Sequence, residues 1–163
     1  MNPLSDHEIR TSFVNCSRKD AARLSLPPGL RQLDWSRREY LGWRDRQDPR
    51  RGFAVVPTPD GPVGFVLQTG AVPGGSPRAA MCAWCEDVYL ADPAVLYVAR
   101  RAGQAGRDGS TVGTLICENF QCSANVRKRP PLPYKGFDLD AFVAERVEGL
   151  RHRVAGFAAS VLR

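Results

Sequence analysis

At 163 residues, with 43% hydrophobic and 25% charged side chains, the chain has the size and composition of one globular domain, or one with a small appendage. No apolar run approaches the roughly 18–20 residues that span a bilayer, and Met1-Asn-Pro-Leu-Ser-Asp-His-Glu lacks the features of a secretion signal, so a membrane-spanning helix is excluded and a cytoplasmic address expected. The net charge of +6 is concentrated. Between Val95 and Lys135 seven basic residues (Arg100, Arg101, Arg107, Arg127, Lys128, Arg129, Lys135) meet only Asp108 and Glu118, which leaves +5 in that segment and +1 elsewhere. Such a field suits an acidic protein, rRNA or another polyanion; the alternative is a solvated loop and a basic linker that bind nothing.

In chain order, Ser5-Asp-His-Glu8 has the form of a capping box, and Ile9, Phe13 and Val14 give the short helix behind it an apolar stripe. A second short helix is expected from Arg18 to Leu24, ended by Pro27-Pro-Gly29. Cys16, alone beside an apolar run, reads as core, and His7 and His152 read as surface residues. Leu33 to Trp43 sets Trp35, Tyr40, Leu41 and Trp43 among charged neighbours. Gly42 argues against a continuous helix there, and the aromatics read as core anchors.

Gly52–Pro57 and Pro62–Gln68 are short apolar runs separated by Thr58-Pro-Asp-Gly61, which predicts a β-hairpin. Gly70–Pro77 reads as a flexible connector between an N-terminal subdomain of helices and hairpin (1–70) and a cysteine-bearing subdomain (71–163), the two forming one integrated domain. Val95–Arg100 and Thr111–Ile116 read as paired strands joined by an exposed, mobile loop, Gly103–Gly109. A short helix is expected at Cys122–Val126. From Asp138 a long helix follows, with Phe142, Val143, Val147, Leu150, Val154, Phe157, Ala158 and Val161 on one stripe. The fold class is therefore α+β: β-hairpins, a cysteine-rich unit and a long C-terminal helix.

The cysteines carry the chemistry. Cys82-Ala-Trp-Cys85 and Cys117-Glu-Asn-Phe-Gln-Cys122 are two tight pairs separated by 31 residues. Four thiolates are soft ligands that close a tetrahedral zinc site, and the count of five cysteines rules out a fully paired disulfide framework within one chain. The wider second pair matches the usual two-residue spacing only in part. The alternative is four reduced cysteines serving as small core residues. A redox role is weaker, because a Gly/Pro-rich stretch precedes Cys82 where a thioredoxin-like motif has a βαβ context. A knuckle, a hairpin and a second pair entering a helix is the layout of a treble clef. One structural Zn²⁺ on Cys82, Cys85, Cys117 and Cys122 then leaves no position for a reacting water. The chain has no Gly-x-Ser-x-Gly, no His-Glu-x-x-His and no phosphate-binding loop with Lys-Ser/Thr, so no enzyme is expected.

Cys82–Cys85, the strand Val95–Arg100 and Gly113-Thr-Leu-Ile-Cys117-Glu-Asn-Phe-Gln-Cys122-Ser-Ala-Asn-Val-Arg127 resemble the C-terminal treble-clef domain of elongation factor G-binding proteins, the FusB-type fusidic-acid-resistance family. The resemblance runs as architecture from about residue 5 onward and as motif over roughly 82–129. It implies the four-cysteine zinc site and binding to elongation factor G, helping that factor leave a stalled ribosome. The chain departs from the resistance proteins in lacking room for their longer N-terminal helical bundle, so the resemblance carries factor binding and leaves drug resistance itself open. Expected partner contacts are Trp84, Arg107, Tyr134 and Lys135, with a plug beneath the zinc as the competing role of Trp84. The competing function is a ribosome- or RNA-binding zinc protein, in which exposed aromatics stack on bases. A monomer is expected.

Overall fold

In the computed structural model, which describes residues 1–70, 80–88, 93–130 and 135–163, five antiparallel strands form a sheet in the order β1-β2-β3-β4-β5. These are β1 (Leu41–Arg44), β2 (Arg51–Thr58), β3 (Gly61–Thr69), β4 (Ala94–Arg100) and β5 (Thr111–Cys117). The helices among the described residues are α1 (Asp6–Thr11), α2 (Arg18–Arg23), α3 (Gly103–Arg107), α4 (Cys122–Asn125) and α5 (Leu139–Leu162). The architecture is α+β, as expected. None of these helices is long and apolar enough to cross a membrane. The predicted connector lies outside the described residues beyond Gly70.

Helices α1, α2 and α5 start where a side chain satisfies an orphan backbone N–H group. Ser5 Oγ accepts from Glu8 N–H while the Glu8 carboxylate accepts from Ser5 N–H, completing the capping box of α1. Ser17 caps α2 and Asp138 caps α5 in the same way. The β2–β3 hairpin turns at Pro59-Asp60, with Thr58 opposite Gly61 and the Thr58 hydroxyl donating to the Gly61 carbonyl at 2.7 Å.

Strand alternation sorts the core into two layers. Ala54, Val56, Phe65, Leu67, Tyr97, Ala99 and Ile116 point to one face, where Leu150, Val154, Phe157, Ala158 and Val161 of α5 cover them. Phe53, Val55, Leu41 and Trp43 point to the other, against Ile9 of α1 and Leu24 just after α2. The four consecutive residues Phe53–Val56 are almost completely buried, because this hairpin lies between two layers.

One expectation holds and one changes. The Leu33–Trp43 stretch forms a 3₁₀ turn at Trp35–Arg37 and then β1. Tyr40 and Trp43 are buried core residues and Trp35 is half-buried. Gly103–Gly109 is not a loop throughout, since Gly103–Arg107 makes one helical turn. Gly106 is buried there so closely that an added Cβ would lie 1.8 Å from the Arg101 carbonyl oxygen, which holds the turn against the end of β4. The same corner is tied to the end of α5, where Ala102 N–H donates to the Val161 carbonyl and Arg101 donates to that of Ser160.

Candidate metal centre

The four paired cysteines converge from three elements. Cys82 and Cys85 sit on a tight turn before β4, Cys117 ends β5, and Cys122 opens α4. All four are buried, at 0–1% exposure, and their sulfurs lie within 4.8 Å of one another. The Cys82–Cys122 and Cys85–Cys117 Sγ separations are both 3.6 Å. A tetrahedral four-thiolate zinc with Zn–S of ~2.3 Å places its sulfurs about 3.8 Å apart, so the cluster has the size that ion demands. Hydrogen bonds among the thiols pull in opposite directions: those with Cys117 and Cys122 lower the pKa values of Cys82 and Cys85, and those with Cys117, Cys82 and Cys85 raise that of Cys122. A divalent cation resolves that conflict by letting all four stand as thiolates.

Backbone and side-chain donors support the sulfurs. Cys85 N–H donates to Cys82 Sγ at 3.4 Å, and Asn125 Nδ2 donates to Cys117 Sγ at 3.3 Å and Cys85 Sγ at 3.8 Å. Such N–H···S bonds orient the ligands and spread thiolate charge. The wide second pair has a local cause. Phe120 takes a positive φ of 58°, and its ring lies over the sheet where Gly42 and Gly52 leave room. A Cβ at Gly42 or Gly52 would come within 2.7 or 2.5 Å of Phe120. The Tyr40 hydroxyl donates to the Phe120 carbonyl at 3.1 Å and that of Tyr97 to the Glu118 carbonyl at 2.9 Å. The extra residues between Cys117 and Cys122 therefore anchor the cysteine loop on β1 and β2.

A model of the FBP C-terminal treble-clef zinc-finger family matches residues 8–161. The chain belongs to this family. No curated protein and no solved structure matches it. The buried four-cysteine cluster fits the one structural zinc of this FusB-type finger, with hairpin and short helix in treble-clef order.

Not every expected site residue lies where it was placed. Trp84 does not project outward. Its ring is 2% exposed and packs edge-on against Tyr40 and Phe157, with centroids 5.0 and 5.7 Å away. The turn between Cys82 and Cys85 faces α5, so its central aromatic plugs the core. Arg107 is exposed on α3 and Lys135 is exposed, while Tyr134 lies outside the described residues. Cys16 is half-buried rather than fully core, and burial raises its thiol. His7 and His152 are exposed, as expected.

The side chains that clamp the knuckle belong to no sequence motif. Arg153 donates to the Trp84 carbonyl at 2.7 Å and pairs with Glu86 at 3.0 Å, and Arg146 donates to the Cys85 carbonyl at 3.4 Å. Arg127 makes a two-pronged pair with the buried Glu39, at 2.8 and 2.9 Å, and Lys128 lies 3.6 Å from Asp87. Two cations of the basic segment are thus neutralised by acids outside it. Arg44 and Glu118 pair at 2.6 Å beside Cys117.

Proposed function

We propose that this chain is a binding protein for translation elongation factor G that promotes the factor's release from, or turnover on, the ribosome. The observation that carries the reading is family membership over residues 8–161, in a family whose FusB-type members are binding proteins. The metal centre agrees with a non-catalytic role, because four cysteines fill all the positions of a tetrahedral zinc and leave none for substrate or water. Zinc here supplies folding free energy to a hairpin that carries exposed Arg107 at its tip, and Arg107, Lys135 and Tyr134 remain the proposed contacts. Trp84 is withdrawn from that set by its burial.

The RNA-binding reading has less support. It needs exposed rings for base stacking, and the large hydrophobic side chains exposed among the described residues are Met81, Val88, Leu96, Leu115 and Leu162, none of them aromatic. The deciding experiment is a pull-down with purified elongation factor G, followed by co-sedimentation of ribosomes carrying the factor. The chain is expected to capture the factor and to move it from the ribosomal pellet to the supernatant. No capture at micromolar concentration and low salt would end this reading.

A further inference from the structure

Among the described residues, the sheet is covered along one face but only in part along the other. On the partly covered face α1 and α2 shield Phe53 and Val55, and that layer stops at β3. Beyond it, Leu96 of β4 and Leu115 of β5, direct cross-strand partners, are 53% and 42% exposed. Val98 extends the same face toward the hairpin tip.

Where the covered and open parts meet, the sheet is split. β3 and β4 pair only at Gln68–Val98 and Thr69–Tyr97, and then diverge. The Asn15 amide fills the gap like a short piece of strand. Its Nδ2 donates to the carbonyls of Val66 (3.0 Å) and Arg100 (2.9 Å), and its Oδ1 accepts from Val66 N–H at 2.8 Å. The split opens into a cleft of about 860 Å³ between the start of α2 and α3, lined by Arg51, Arg100, Arg101 and Arg107 against a single carboxylate, Asp20. Arg101 is engaged with the Ser160 carbonyl, and Arg51 stacks on Phe53 with Asp45 at 3.8 Å. Arg107 is steadied by Gln104, and Arg100 has no side-chain hydrogen bond or ion pair among the described residues.

We propose that the open β4–β5 face, together with this arginine-lined cleft at its edge, docks a segment of a partner protein in which carboxylates flank aliphatic side chains. The inference rests on the protein-binding role proposed above and names the surface that performs it. Charge complementarity sets the carboxylates: guanidinium groups with free donors take carboxylates in paired hydrogen bonds. The adjoining leucine pair gives the aliphatic part a dry seat, the arrangement of apolar centre and charged rim common to interfaces. A nucleic acid fits less well, since no cleft-lining side chain is aromatic and Asp20 stands in its wall. The cysteines hold the opposite end of the hairpin, about 20 Å of strand away. Metal and docking surface therefore have separate tasks on one element.

The test is the dissociation constant for purified elongation factor G, measured with full-length variants whose zinc content and circular dichroism match the wild type. Arg100→Glu with Arg107→Glu is expected to weaken binding at least about tenfold, and Leu96→Ser with Leu115→Ser by about the same factor. A control reversal on exposed Arg31 and Arg37 stays within about twofold. Wild-type affinity in both test pairs would overturn the docking surface while leaving factor binding intact. Failure of the wild type itself to bind would remove the factor-binding role and this inference with it. If only charge reversal weakens binding, and a mixed-sequence RNA oligonucleotide binds as tightly as the factor, the cleft is a general polyanion site and the proposal falls.

Discussion

The two hairpins of the sheet are built on different physical terms. β2–β3 pairs over eight residues and buries Phe53–Val56 between two helical layers. Burial of each large apolar side chain there contributes about 1.5–3 kcal/mol, so the hairpin is held by the hydrophobic effect. β4–β5 pairs over seven residues, yet one of its faces shows Leu96 and Leu115 to solvent, and its far end runs into the cysteines. Among the described residues it lacks a second covering layer, and it gains a metal instead. The contrast separates what makes the fold from what frees a surface: a hairpin braced by zinc can leave apolar residues exposed without losing its shape.

Loss of metal should break this contrast most sharply. Structural zinc contributes about ten kcal/mol of apparent folding free energy in small fingers. Cys117→Ser, or treatment with a strong chelator, is expected to release the ion and abolish amide protection in residues 80–88, β4, β5 and α4. Acidification acts with the same sign, because protonation of the thiolates competes with the metal. Hydrogen exchange read by mass spectrometry checks the outcome. Full protection of β4 and β5 in a metal-free variant would show that zinc is not their brace. The complementary change, Phe53→Ala, removes a fully buried ring from the other hairpin and should cost about 3–5 kcal/mol in denaturant unfolding. Zinc content of the folded fraction should stay at one per chain, because Phe53 belongs to the cluster on the opposite side of the sheet from α5.

Between the hairpins the effect is smaller. Asn15→Ala strands the Val66 N–H and the carbonyls of Val66 and Arg100, and should cost about 1–3 kcal/mol. Asn15→Asp keeps the acceptor for Val66 N–H but turns a carboxylate oxygen toward the carbonyls of Val66 and Arg100, so it should cost at least as much. Equal stability of wild type and Asn15→Ala would mean that water replaces the amide and that β3 and β4 need no wedge.

What the chain reveals before folding follows the range of the forces involved. The four cysteines were legible because spacing and ligand chemistry are local, and the Thr58-Pro-Asp-Gly61 hairpin because its turn residues sit between two apolar runs. β1 was not, since four residues are too few to display a period. The α3 turn was hidden as well: Gly-Gln-Ala-Gly-Arg has poor helix propensity, and contact of Gly106 with the Arg101 backbone holds it. The choice between partner contact and core plug for Trp84 was not legible, because Tyr40 and Phe157, distant in sequence, decide which way the knuckle faces. The basic segment misled for a similar reason, with Arg127 and Lys128 paired to Glu39 and Asp87 from outside it. Asn15 carries no motif at all, and only the splayed strands give its amide a task.

The smallest expected effect bears most directly on the open face. If Leu96 and Leu115 are a surface set aside for a partner, they contribute little to the isolated chain. Replacing both with serine should change unfolding free energy by about 0.5 kcal/mol or less, as for ordinary exposed positions. A loss of several kcal/mol would instead mark them as core residues, covered in solution by some other part of the chain. Their exposure would then owe nothing to binding. Set beside Phe53→Ala, the double serine change asks whether the two hairpins differ in purpose as well as in support. A large cost on one side of the sheet and almost none on the other is what a division between structural core and docking face requires.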